Sequence, residues 1–250
     1  MLFRSRLILV SNRLPFSLEE VKGRIELRAS DGGLVSALQS YFGRASGQFI
    51  FKDRFWLGSA DFPERRWQRF QQEGGAGQDF QILPLFIESR TYNKFYNGFS
   101  NATIWPLFHY FPGFAVYDED TFRSYREVNE LFAARIQELL EPGDVLWIHD
   151  YQLMLLPRLV REKNRDVNIG FFLHIPFPSY EVFRMLHRHW KEAIIQGLLG
   201  ADLVGFHTHE YVEHFLKSVR MVAGYSHHYR SIVFEDRVVK IDLFPLGIDF

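Results

Sequence analysis

Gly170-Phe-Phe-Leu-His-Ile-Pro-Phe-Pro-Ser179 is the stretch on which the fold turns. Residues 169–173 form a buried-strand pattern, continuously apolar as a strand covered on both faces must be, and the run delivers His174 to its carboxyl end. Pro176 and Pro178 then stop the sheet from continuing and stiffen the exit. In open α/β sheets, ligands gather beyond the carboxyl ends of the strands. His174 is therefore a site candidate; for a lone histidine the competing reading is a satisfied side chain at a strand end.

Working outward, strands alternate with helices along the whole chain. Residues 7–11, 51–57, 80–85, 145–149, 168–173 and 203–206 read as strands, at intervals that leave room for helices. Val128, Leu131, Phe132, Ile136, Leu139 and Leu140 fall on one helical stripe, as do Val212, Phe215, Leu216 and Val219. Residues 231–244 read instead as a hairpin turning at Glu235-Asp236, with Pro245 and Gly247 as breakers beyond it. The polar segment 14–30 links the first strand to a Gly-Gly turn; it reads as mobile, with some hairpin character where Ile25 and Leu27 alternate with charges. Residues 74–77 read as a short flexible loop. This alternation predicts an α/β fold: one Rossmann-like, doubly wound, mainly parallel sheet over residues 1–250, with a hairpin near the carboxyl terminus.

Composition narrows the function classes. Among 250 residues, 47% are hydrophobic and 24% charged, which is ordinary for a globular chain and excludes a disordered one. A formal charge of −1 offers no global attraction to nucleic acid or to an anionic membrane. Zero cysteines remove disulfides and thiolate metal sites, which suits a cytoplasmic setting. No run approaches a membrane span, and the apolar stretch after Arg6 is too short for a signal segment. The 26 phenylalanines spread along the chain and read first as core, second as site lining.

The strand ends can be read together. The first strand runs into Ser11-Asn12-Arg13, so Arg13 stands at the sheet's carboxyl edge with a guanidinium fork suited to phosphate or carboxylate. Gly32-Gly33 opens an apolar helix, where backbone N–H groups can approach an anion or a sugar. The spacing lacks the dinucleotide fingerprint, which disfavours an oxidoreductase. Asp150 ends the fourth strand, placed either to accept from sugar hydroxyls or simply to cap the following helix; His149 beside it reads as structural. Tyr96 and Trp105 are aromatics of the kind that stack on sugar faces, in the company of Asn97, Ser100 and Asn101.

Ser-Asn-Arg (11–13), Gly-Gly-Leu (32–34), the segment 95–110 with its Tyr-Asn-x-Phe-Ser-Asn and Trp-Pro elements, Trp-Ile-His-Asp-Tyr (147–151), Phe-Phe-Leu-His-Ile-Pro-Phe-Pro (171–178), Gly-Phe-His-Thr (205–208) and Pro-Leu-Gly-Ile-Asp (245–249) occur in that order. Together they resemble the amino-terminal half of the trehalose-6-phosphate synthase family, retaining glycosyltransferases of the two-domain GT-B type. The resemblance implies transfer of glucose from UDP-glucose to glucose 6-phosphate, with no cofactor and no catalytic metal. It implies Arg13, assisted by Tyr96, on the acceptor phosphate, Asp150 on acceptor hydroxyls near the reaction centre, and Trp105 shaping the acceptor pocket. Gly32 and Gly33 would approach the donor through backbone N–H groups, and His174 would contact the donor glucose. Asp150 and His174 are thus the implied catalytic pair, in a front-face mechanism that needs no covalent nucleophile. The resemblance leaves room for a homo-oligomer and implies neither a nucleic-acid nor a membrane partner.

Two departures from the family pattern bear on this reading. The family shows Trp-x-Gly-Trp where this chain has Trp56-Leu57-Gly58-Ser59, so an acceptor-stacking indole is replaced by Ser59. That keeps alive a related transferase with a different acceptor, such as glycerol 3-phosphate, beside a non-catalytic sugar-phosphate-binding regulatory subunit. The resemblance also implies that the second, nucleotide-binding GT-B domain is absent from this chain, and that the chain by itself does not turn over.

Overall fold

The computed structural model describes residues 5–21, 23–29, 51, 53–74 and 80–245, and its contacts divide the chain into two units, Met1–Ile87 and Glu88–Phe250. In the first unit, β1 (Leu7–Arg13) is followed by β2 (Phe16–Val21), β3 (Arg24–Ala29), β4 (Arg54–Ser59), α1 (Glu64–Gln72) and β5 (Gln81–Leu85). β5, β4 and β1 lie side by side, all parallel. Leu7 to Val10 are fully buried, as the unbroken apolar run requires. β5 tolerates Pro84 because a proline's missing N–H is harmless on an edge. The strand expected at 51–57 is shifted to Arg54–Ser59, because Gly58 and Ser59 continue the pairing with β5.

β2 and β3 form an antiparallel hairpin over most of the segment that reads as a mobile link. Its polar composition hides a buried side: Phe16, Leu18 and Ile25 leave solvent, and of the charged residues only Glu20, exposed near the end of β2 and opposite Ile25, shares that face. The expected Gly-Gly turn at residues 32 and 33, positions 75–77 of the expected loop at 74–77, and the expected breaker Gly247 lie outside the described residues.

The second unit begins with helices: α2 (Ser89–Asn93), a π-helix (Lys94–Ile104), α3 (Trp105–Phe108) and α4 (Glu119–Leu139). Then come β6 (Val145–His149), α5 (Leu156–Lys163), β7 (Asn168–Phe172), α6 (Tyr180–Phe183), α7 (Arg188–Leu198), β8 (Leu203–Phe206) and α8 (His209–Ala223). The chain finishes with β9 (His227–His228), β10 (Ser231–Phe234) and β11 (Arg237–Leu243). Strand order is β6-β7-β8-β11-β10-β9. The first four strands run parallel, and β10 and β9 are antiparallel additions. The hairpin turns at Glu235-Asp236 as the sequence predicts, with Glu235 at φ 54°. The sequence does not predict that β11 continues the parallel sheet beside β8.

Helix burial follows the pattern with one correction. On α4, Val128, Phe132 and Ile136 are fully buried together with Phe122 and Tyr125, whereas Leu131 is 38% exposed and Leu140 lies beyond the helix end. The true stripe runs through Phe122, Tyr125, Val128, Asn129, Phe132 and Ile136 and passes Leu131 by. On α8, Val212, Phe215, Leu216 and Val219 are all buried. Thr208 caps its start by accepting from Tyr211 N–H at 3.3 Å, and left-handed Gly224 ends it. α7 packs so closely on the turn after β6 that a Cβ on Gly197 would lie 2.2 Å from the Met154 carbonyl oxygen. The sheet therefore holds the carboxyl ends of β6, β7 and β8 side by side, where Asp150, His174 and His207 leave it.

Candidate active site at the carboxyl ends of the strands

β6 gives up its last sheet bond at Asp150, whose N–H donates to the Phe172 carbonyl at 2.8 Å. Asp150 then turns the chain away at φ 75° and ψ 170°. That region of backbone space is nearly reserved for glycine and costs an L-residue about 1–3 kcal/mol. The surroundings hold it there. Tyr125 OH donates to the Tyr151 carbonyl at 2.6 Å and accepts from Met154 N–H at 3.2 Å. Asn129 Nδ2 donates to the Gln152 carbonyl at 3.0 Å. Burial pushes the Tyr125 phenol far up, so it stays a neutral donor.

Besides its backbone hydrogen bond at Tyr151, the Asp150 carboxylate reaches the neighbouring strand: Oδ1 accepts from the His174 backbone N–H at 3.2 Å. This excludes a mere helix cap. The carboxylate ties the ends of β6 and β7 together. Burial raises the carboxyl to about 6, against the lowering effect of its backbone hydrogen bonds at Tyr151 and His174.

His174 is half-buried, and its Nε2 lies 3.0 Å from Nδ1 of His149. His149, read from sequence as structural, is buried at 1% exposure, meets His174 edge to edge with ring centres 5.3 Å apart and is part of the site's support. His207, leaving β8, closes the group at 5.6 Å from the His174 ring and packs edge-on against Phe172 at 4.9 Å. Burial lowers the pKa of all three rings, His174 to about 3, so each is neutral near pH 7. The sequence held the signal for His149 and His207. Each sits at the end of a parallel strand in a conspicuous motif, at the same height in the sheet as Asp150 and His174.

Tyr96 lies on the π-helix, half-buried and stacked on Tyr92 at 5.7 Å. π-helical turns are rare and concentrate at functional sites. Trp105 opens α3, is 44% exposed and stacks on His109 at 4.2 Å. One bond ties this segment to the site: Tyr151 OH donates to Asn101 Oδ1 at 2.8 Å, joining the π-helix to the residue after Asp150. Among the described residues, no group of three or more His, Asp or Glu side chains is arranged to hold a metal ion.

In the first unit, the carboxyl end of β1 is irregular. Val10 faces Leu57 but Arg13 faces Ser59, so β1 carries an extra residue in a bulge. The bulge leaves Ser11 and Asn12 buried and Arg13 exposed. Ser11 Oγ accepts from the buried Trp56 indole at 2.7 Å and donates to the Arg13 carbonyl at 2.7 Å. Ser59 Oγ donates to the Asn12 carbonyl at 2.5 Å, and Ser59 is 4% exposed. A Cβ on Gly58 would lie 2.7 Å from the Arg13 carbonyl carbon, so only glycine lets β4 pass there. Ser59 is thus a seam between β1 and β4.

A mainly parallel α/β sheet of this kind is the architecture of the amino-terminal half of a GT-B glycosyltransferase. Residues 5–250 match the model of glycosyltransferase family 20, and the chain belongs to that family. It is 43% identical over 248 residues to alpha,alpha-trehalose-phosphate synthase [UDP-forming] A of Dictyostelium discoideum, covering 99% of this chain and 32% of that protein. It is 44% identical to the bifunctional trehalose-6-phosphate synthase/phosphatase of Thermoproteus tenax, covering 98% and 33%. Among solved structures, the Candida albicans trehalose-6-phosphate phosphatase N-terminal domain superposes with a TM-score of 0.79 at 28% identity, over 98% of this chain and 49% of that one. An E. coli structure described as bound with UDP-2-fluoro glucose gives 0.77 at 26% identity, over 98% and 49%. The chain spans a third to a half of the length of the proteins it matches. Among the described residues, no helix is long and apolar enough to cross a membrane.

Proposed function

We propose that this chain forms the acceptor-side domain, residues 1–250, of a UDP-forming trehalose-phosphate synthase, transferring glucose from UDP-glucose to glucose 6-phosphate with retention. The observation that carries the reading is Asp150 bridged to His174 at the strand ends of a family 20 chain. The names of the relatives, UDP-forming synthases among them, support it. In this reading the acceptor hydroxyl oxygen attacks the anomeric carbon on the face from which UDP departs. The carbon–phosphate-oxygen bond breaks, and the hydroxyl proton passes to the departing diphosphate. Asp150 orients the acceptor, His174 holds the donor glucose, and Gly32 and Gly33 offer backbone N–H groups to the donor. Arg13 grips the acceptor phosphate with help from Tyr96, and Trp105 borders the acceptor. A cytoplasmic setting belongs to the same proposal and rests on the cysteine-free composition.

The test uses the protein at its natural full length and follows UDP release from UDP-glucose. Glucose 6-phosphate should drive turnover, and Arg13→Ala should cost about 2–4 kcal/mol, roughly two to three decades in kcat/KM. Unphosphorylated glucose should cost the wild type a similar amount, and the two losses should not add. Fully additive losses would remove Arg13 from the acceptor site. Turnover with glycerol 3-phosphate but not glucose 6-phosphate would shift the reading to a sibling transferase, and none with either would leave a regulatory subunit.

A further inference from the structure

The contact between His149 and His174 holds more information than its 3.0 Å length. Two neutral imidazoles meeting nitrogen to nitrogen share one proton, and the tautomer of one ring fixes that of the other. Two arrangements are open. If His174 Nε2 donates, His149 Nδ1 accepts, and the His149 proton must sit on Nε2. That atom is buried and has no hydrogen-bond partner among the described residues, so the arrangement strands an N–H donor. If His149 Nδ1 donates, Nε2 is left as a bare acceptor. Orphaned buried N–H groups are the rarer and costlier case, so the second arrangement prevails.

We propose that His149 is a positioning residue: its Nδ1–H donates to His174 Nε2 and locks His174 as the Nδ1–H tautomer, which offers a hydrogen-bond donor at the mouth of the sheet. His174 then cannot act as a base toward a hydroxyl, because its acceptor nitrogen is occupied. Its Nδ1–H suits a lone pair on a sugar hydroxyl or on a phosphate oxygen. Naming the sugar as what that donor meets rests on the function proposed above; the tautomer itself does not. The backbone reinforces the arrangement, since Asp150 Oδ1 holds the His174 N–H and so fixes where the ring begins. Second partners of this kind set the tautomer and orientation of metal-binding histidines, where their loss costs roughly 10- to 100-fold in metal affinity or activity.

The experiment is nitrogen-15 NMR of histidine-labelled protein without ligand, with His174 assigned through His174→Gln. The expected result is a protonated Nδ1 and a bare Nε2 on His174. A protonated Nε2 on His174 in the wild type overturns the proposal, whatever the variants do. In His149→Phe the Nδ1–H preference should disappear. In His149→Asn, whose amide N–H reaches the position of Nδ1, it should return; a preference that survives His149→Phe also overturns the proposal. The kinetic arm uses the full-length protein: His149→Phe should lower kcat/KM for UDP-glucose roughly 10- to 100-fold, and His149→Asn should recover most of it. Equal losses in the two variants would mean that the ring only fills space. Absence of turnover in the wild type, with the tautomer as expected, would refute the sugar-transfer reading and leave the tautomer lock standing.

Discussion

Asp150 concentrates two costs in one residue: a backbone conformation that suits glycine, and a carboxylate withdrawn from water. The fold raises its pKa from 3.8 to about 6, so folding disfavours the ionised form. The associated stability is fully present below about pH 4 and is lost as pH rises through 6. Asp150→Asn keeps an oxygen for the His174 N–H and removes the charge. At pH 8 it should stabilise the fold by about 1–2 kcal/mol, a gain that fades below pH 5. Thermal melts at pH 8 and 4.5 test this, and an unchanged melting temperature at pH 8 would refute it. On the function proposed above, the same variant should depress turnover more than donor binding, because the carboxylate that orients the acceptor has gone. Sequence pointed to Asp150, His174 and Arg13 because each ends a strand, which periodicity reveals. It could not reveal the partnership with His149, since which nitrogen faces which depends on ring rotation across two strands.

At the scale of elements, α7 shows packing overruling intrinsic propensity. Alanine is the better helix former by about 1 kcal/mol. Yet the missing Cβ at Gly197 is what lets α7 sit on the Met154 carbonyl, and Met154 belongs to the turn that Asp150 begins. Gly197→Ala should therefore destabilise the protein by about 1–3 kcal/mol, read as a lower urea midpoint at unchanged slope. Stabilisation would mean that the helix can back away from the turn. Most elements were legible beforehand: residues 145–149 and 203–206 bound β6 and β8 as found, because short apolar runs between breakers have few other readings. The π-helix was not, since its extra residue per turn leaves no mark in a 3.6-residue pattern. The β2–β3 hairpin was half legible, its alternation blurred by charges on the exposed face.

For the molecule as a whole, the neutral histidines are an acid liability. His149, His174 and His207 have their pKa values lowered by burial, so the unfolded chain binds more protons than the folded one below about pH 6.5. The stability they contribute is present above that pH and is lost as pH falls toward their folded values. Asp150 opposes them between about 4 and 6, one group against three. Urea unfolding should thus show a lower midpoint at pH 5 than at pH 7, with net uptake of roughly one to two protons per molecule near pH 5.5. A midpoint that does not move would mean that the rings are already charged in the folded state.

Anyone hoping to widen acceptor choice by randomising position 59 will meet a wall instead of a pocket. The Ser59 hydroxyl is spent on the Asn12 carbonyl, and the strand that carries it passes over the peptide of Arg13 with no clearance to spare. A library there would sort its members by whether β1 keeps its bulge. If Arg13 holds the acceptor as proposed above, any change in acceptor preference would arrive second-hand, through the angle at which Arg13 leaves the sheet.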